Sequence, residues 1–115
     1  MGVYVPNRGD VVWINFDPQA GHEQGGRRPA IVLSPRSYNK PSALALFCPV
    51  TSRAKNYPFE VPLPTGAPVA GVVLVDQLRN LDWHARQVSF IGILDEETLV
   101  ELMEKLRPLI ALDDE

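Results

Sequence analysis

The sequence holds a single cysteine, Cys48, so no intramolecular disulfide can staple the chain. Its two histidines, His22 and His84, stand apart from each other and from that cysteine, and no zinc-type ligand spacing results. No stretch approaches the roughly 18 apolar residues of a membrane span, and the opening MGVYVPNRGD lacks an apolar signal core. These absences predict a cytoplasmic protein with no metal, no cofactor and no membrane partner. The chain has 115 residues, which predicts one domain spanning residues 1–115 with a core of its own. A hydrophobic fraction of 45% with 22% charged residues excludes a disordered chain.

Proline is not scarce. The 11 prolines are spread along the chain and punctuate short runs rich in Val, Ile, Leu and Phe. Six such runs read as strands: Val11–Phe16, Ala30–Ser34, Ala43–Val50, Phe59–Leu63, Val69–Val75 and Gln87–Ile93. Pro29 is tolerable only at a strand's first residue or on an edge. Short strands with irregular loops imply a mainly β (α+β) fold, a small twisted barrel or curled sheet. From Leu99 the apolar residues fall at 99, 102, 103, 106, 109 and 110, which is helical spacing. Asp95 can cap this helix, and Pro108 should bend it or end it near Arg107. A weaker helical turn is expected around Leu78–Trp83.

Net charge is −3, which on its own argues against a nucleic-acid partner. The distribution argues otherwise. Residues 1–94 carry nine bases and six acids, a balance of +3, and residues 95–115 carry two bases and eight acids, a balance of −6. Most of the body's bases are arginine, the side chain suited to bidentate phosphate contact. Much of the tail's acidity serves the first turn of the helix, where the dipole favours Glu96 and Glu97.

Three segments hold the residue types that carry chemistry. GHEQGGRRPAIVLSP (21–35) is a glycine-rich loop with His22, Glu23 and Gln24, ending in Arg27 and Arg28 at the lip of a strand. FCPVTSRAKNYPFEVPL (47–63) ends a strand in Thr51 and Ser52 and runs into a basic loop with Arg53, Lys55 and Tyr57. Hydroxyls, bases and an aromatic at a strand end suit phosphate and base contacts, although Thr51 and Ser52 also suit a turn cap. Cys48, between Phe47 and Pro49, reads as a buried small hydrophobe. GVVLVDQLRNLDWHARQ (71–87) delivers Asp76 and Gln77 to a strand end, with Arg86 beyond.

In this order and spacing, GDVVWINFDP (9–18), GHEQGGRRPAIVLSP, PVTS with YPFEVPL, and GVVLVDQ followed by HAR (84–86) resemble the MazF/PemK (Kid-like) toxin family. The resemblance runs from about Gly9 to Leu112 and is nearest the MazF branch. It implies a small SH3-like, PemK-like curled β-barrel with a C-terminal α-helix, forming a two-fold homodimer. It implies a metal-independent endoribonuclease that cuts single-stranded RNA at specific sequences. It also implies the toxin half of a toxin–antitoxin module, with a MazE-like antitoxin whose acidic tail inhibits it. In such an enzyme the substrate's 2′-OH attacks its own phosphate, leaving a 2′,3′-cyclic phosphate and a 5′-OH.

Arg28 and Thr51 carry over onto the family's essential arginine and threonine. Glu23 is a candidate base. His22, Gln24, Arg27, Ser52, Arg53, Lys55, Asp76, Gln77 and Arg86 are the candidate substrate-binding residues. Arg28 suits charge stabilisation better than proton transfer, because guanidinium stays protonated at neutral pH. One position departs from the PemK/Kid branch: Leu74 stands where that branch has a catalytic arginine, which moves Asp76 from base to binding or structure. Two other readings remain open at the level of sequence. One is a non-catalytic CcdB-like toxin of the same fold acting on DNA gyrase, and the other is a plain SH3-like adaptor.

Overall fold

The computed structural model describes residues 2–112. Seven strands and two helices follow in the order β1 (Asp10–Asn15), β2 (Arg27–Val32), α1 (Arg36–Ser42), β3 (Leu44–Thr51), β4 (Glu60–Pro62), β5 (Val72–Leu74), β6 (Arg79–Asp82), β7 (Ser89–Ile93) and α2 (Glu96–Ile110). A short 3-10 turn, Val75–Gln77, follows β5 directly. All strand pairs are antiparallel, in the order β4-β5-β3-β2-β1-β7, with β6 beside the first half of β3.

Residues alternate between two cores, and this is why the strands read as near-continuous apolar runs. On one face Val11, Ile31, Cys48, Val50 and Val73 pack beneath Leu102 and Leu106 of α2. On the other, Val12, Ile14, Phe16, Ala30, Val32, Phe47 and Trp83 pack together. The sheet curls as expected, but its two end strands are not hydrogen-bonded to each other, so the barrel stays open. Instead Pro68, in the β4–β5 connection, lies on Gly92 of β7. A Cβ there would stand 2.8 Å from the Pro68 Cγ.

Two expectations are corrected, and one element is new. Residues 79–82 form β6, not a helical turn, because Leu44–Phe47 offers them a strand to pair with. The helix α1 was not legible, since RSYNKPS has a proline inside it. It is held from outside: buried Asn39 donates to Pro6 O (2.8 Å) and Ser34 O (2.9 Å) and accepts from the Ser34 hydroxyl at 2.6 Å. The helix α2 does not end near Arg107 but runs to Ile110. Pro108 falls in its last turn, where only Glu104 O loses its partner. At the other end Asp95 caps α2 as expected, accepting from the Thr98 N–H (2.9 Å) and hydroxyl (2.8 Å). No helix among the described residues is long and apolar enough to cross a membrane.

Candidate active site

The site lies at the end of the β2–β3 ladder. Their register pairs Ala30 with Pro49, Ile31 with Cys48 and Val32 with Phe47, and stops there. Beyond it, Val50 and Thr51 pair on their other side with Val73 and Val72 of β5. Continued by two residues, the register would set Arg28 opposite Thr51. Period-2 alternation puts both side chains on the face that holds Ala30 and Phe47. They therefore stand side by side at the end of the ladder, on the cavity that both line.

Arg28 is anchored to the preceding loop and to β3. Its Nε donates to Gly25 O at 2.8 Å and its Nη1 to Val50 O at 3.4 Å. Neither bond uses Nη2, whose two N–H groups remain for a ligand. The Thr51 hydroxyl accepts the Arg53 N–H at 3.2 Å, which leaves its own O–H to donate. A cavity of about 630 Å³ lies between them, lined also by Gln24, Arg27, Ser52, Arg53 and Lys55. Four cationic side chains and no carboxylate line it.

A second cavity of about 290 Å³ shares Gln24, Thr51, Arg53 and Lys55 with the first, so the two form one groove. It adds His22, Tyr57, Glu60, Leu74, Asp76 and Gln77. Gln77 ties the glycine-rich loop to this wall: its Oε1 accepts the Gln24 N–H at 2.8 Å and its Nε2 donates to His22 O at 3.4 Å. The Tyr57 hydroxyl is hydrogen-bonded to Asp76, and that bond, then the carboxylate's charge, holds the phenol above its ordinary pKa. Glu60, buried, accepts the Lys55 N–H on both oxygens (3.1 and 3.0 Å) and the Tyr57 N–H at 3.4 Å.

Of the residues singled out in the sequence, the fold brings Arg28, Thr51, His22, Gln24, Arg27, Ser52, Arg53, Lys55, Asp76 and Gln77 to this groove. Two are placed elsewhere. The Glu23 carboxylate accepts the Ala20 N–H at 3.1 Å within its own loop and lines neither cavity. Arg86 donates to Asp17 O (2.7 Å) and Asn15 O (3.3 Å), bracing the base of that loop. Arg27 also donates to Gln87 O at 2.8 Å. Cys48 is buried, with its thiol pushed up to about 12 by burial and then by the charge of Asp76.

The model of the PemK-like, MazF-like toxins of type II toxin–antitoxin systems matches residues 7–110. The chain belongs to this family. It is 44% identical over 107 residues to the endoribonuclease toxin MazF of Escherichia coli K12, covering 93% of this chain and 96% of that one. To the endoribonuclease toxin ChpB of the same strain it is 41% identical over 108 residues, covering 90% and 92%. Among solved structures, MazF of Deinococcus radiodurans superposes with a TM-score of 0.92 at 54% identity, covering 96% of this chain and all of that one. A MazE–MazF complex from the same organism gives a TM-score of 0.85 at 51% identity, covering the same shares.

The MazF-like groove contains one organising residue that the sequence did not reveal. The alternation of Phe59–Leu63 puts Glu60 on the polar face of a strand, yet it is buried beneath the basic loop. Only the folded loop supplies the two N–H groups that its carboxylate accepts. Tyr57 carried a signal as an aromatic following a basic run, but its bond to Asp76, 19 positions away, did not.

Proposed function

We infer that this chain is an endoribonuclease, the toxin of a type II toxin–antitoxin module, that cuts single-stranded RNA through attack of the substrate's own 2′-OH. One observation carries the chemistry: the Arg28 Nη2 edge and the Thr51 hydroxyl face the same basic cavity. Because the nucleophile belongs to the RNA, the protein's tasks are alignment, charge stabilisation and proton movement. The scissile phosphate sits between Arg28 and Thr51. Guanidinium N–H groups stabilise the charge that builds on its oxygens, and the Thr51 O–H holds the phosphate or the leaving oxygen. A metal ion has no assigned part. Glu23 serves as base only if the 17–26 loop carries its carboxylate to the groove.

Arg27, Arg53 and Lys55 continue the positive track along the backbone, with Ser52 and Gln24 donating at its sides. The second cavity is sized for a base. Tyr57 offers a stacking face, and Gln77, Asp76 and His22 offer polar edges, as recognition of an unpaired base requires. The exposed apolar residues Val100, Met103 and Ile110 on α2 support a second copy of the chain as their cover, giving a two-fold homodimer of single-domain protomers. A MazE-like antitoxin with an acidic tail would occupy the same basic groove, its carboxylates standing in for phosphates. We place the protein in the cytoplasm, where mRNA is its substrate. The CcdB-like gyrase reading is not favoured, because the relatives are named endoribonucleases and such a poison needs no Arg–Thr pair.

The test is cleavage of a long single-stranded RNA in EDTA with analysis of the ends. Cyclic 2′,3′-phosphate and 5′-OH ends are expected. Absence of cleavage, or 5′-phosphate ends, would overturn the reading. The mapped cut sites would also give the recognised sequence.

A further inference from the structure

A carboxylate in the wall of an RNA groove repels phosphate, yet Glu60 stands there beside Lys55 and Tyr57. Its place is set by β4. Glu60 pairs with Leu74, and Val61 with Val73. Val61 and Val73 lie in the core, so alternation turns Glu60 and Leu74 to the opposite face, on the cavity that both line. Glu60 is nonetheless buried. Residues 53–57 belong to no strand or helix, so their N–H groups have no ladder to enter and need acceptors from elsewhere. Glu60 supplies them. The Lys55 N–H donates to both of its oxygens (3.1 and 3.0 Å), and the Tyr57 N–H donates to Oε1 at 3.4 Å. A carboxylate offers acceptors on both oxygens and no donor, which suits a loop that turns N–H groups inward. The turn that follows is closed by the Glu60 N–H on Tyr57 O at 3.0 Å and, from α2, by the Lys105 ammonium on Pro58 O at 2.7 Å.

We propose that Glu60 is a positioning residue for RNA binding: by accepting the Lys55 and Tyr57 N–H groups it sets the basic loop in its binding shape before RNA arrives, and it acts through those two residues. A loop already ordered costs the RNA no ordering entropy, so the anchor is worth affinity. Turnover does not depend on it. Arg28 is held by Gly25 O and Val50 O, and Thr51 pairs with Val72 in the β3–β5 ladder. Arg53 is tied to the Thr51 hydroxyl through its own N–H. The two effects of Glu60 on RNA have opposite signs. Its charge repels phosphate, and its hydrogen bonds hold a cation and an aromatic ring at the groove. Removing a mere wall charge would tighten RNA binding, whereas removing the anchor loosens it.

This inference rests on the endoribonuclease reading, so the experiment separates the two. Glu60→Ala removes every acceptor. Glu60→Gln puts an NH₂ in place of one oxygen, setting a donor against the inward N–H groups, and it stands in if the alanine variant does not fold. Each is expected to raise KM for a short RNA by about tenfold with kcat within about threefold, the mark of lost ground-state binding. The Lys55 and Tyr57 amides should be protected from solvent exchange in the unsubstituted protein and exchange freely in the variants. KM at or below wild type in both variants, a loss carried by kcat instead, or amides that already exchange freely in the unsubstituted protein would overturn the proposal. The same sequence as single-stranded DNA, which has no 2′-OH to attack, is titrated in parallel. If the unsubstituted protein cuts no RNA, the endoribonuclease reading falls. Weaker DNA binding by Glu60→Gln then still upholds the anchor, and equal or tighter binding overturns it.

Discussion

Arg28 and Thr51 stand opposite each other on an antiparallel register that neither of them completes, because the β2–β3 ladder ends two residues earlier at Ala30 and Pro49. The pair gains rigidity from the two strands and room from the cavity that both residues line. A phosphate site needs both, since its donors must be fixed before the substrate arrives.

Arg28→Ala is expected to reduce kcat by about 10²- to 10³-fold, the usual cost of one preorganised donor to a developing anion. Thermal stability should change little, because the side chain is only part-buried. Arg28→Lys should not restore activity. An ammonium cannot hold Gly25 O and Val50 O and still present a planar edge to phosphate. Steady-state cleavage of a short RNA with a melting curve checks both variants.

Gly71→Ala should impair both stability and cleavage. Gly71 has φ +127°, and a Cβ there would stand 2.4 Å from Thr51 O. The backbone of Thr51 has to move to admit it. A loss of about 1–3 kcal/mol in a denaturant titration is expected from the strained conformation. A fall in kcat measured well below the melting temperature would show that Thr51 has been displaced.

Cys48 should resist a disulfide exchange reagent at pH 8 in the folded protein and react fully after unfolding. Burial, then the charge of Asp76, pushes the thiol up to about 12, from about 9 for a free thiol. The neutral thiol is therefore the form that the fold favours. This contribution to stability is complete below about pH 9 and is lost as pH rises toward 12. Native labelling at the rate of a free thiol would contradict the burial.

Asp95 works in the opposite direction. The N–H of Thr98, then its hydroxyl, hold the Asp95 carboxylate below its ordinary value of 3.8. The cap's stabilisation is present above pH 3.8 and is lost as pH falls through the lowered value. Asp95→Ala should lower the melting temperature at pH 7, and the gap from wild type should narrow below pH 3.8. An unchanging gap across that range would show that the carboxylate's charge has no part in the cap.

RNA affinity should fall as salt rises, because the groove's bases release counterions from each phosphate they neutralise. Arg53→Ala or Lys55→Ala should flatten the slope of log K against log salt by about one unit. An acidic antitoxin tail should share the salt dependence. Affinity independent of salt would rule out the basic track as the RNA path.

The sequence by itself determined all the strands but β6, the capped C-terminal helix and the charge division between an arginine-bearing body and an acidic tail. Those features are written in local periodicity and in residue type. It also placed Arg28 and Thr51 in segments that the fold brings together, because strand ends and glycine-rich loops carry their own signals. Only the tertiary structure decided the rest. The strand β6 exists because Leu44–Phe47 offers it a partner, and α1 because buried Asn39 ties it to Pro6 and Ser34. Glu60 became an organiser only when the folded loop brought the Lys55 and Tyr57 N–H groups to its carboxylate.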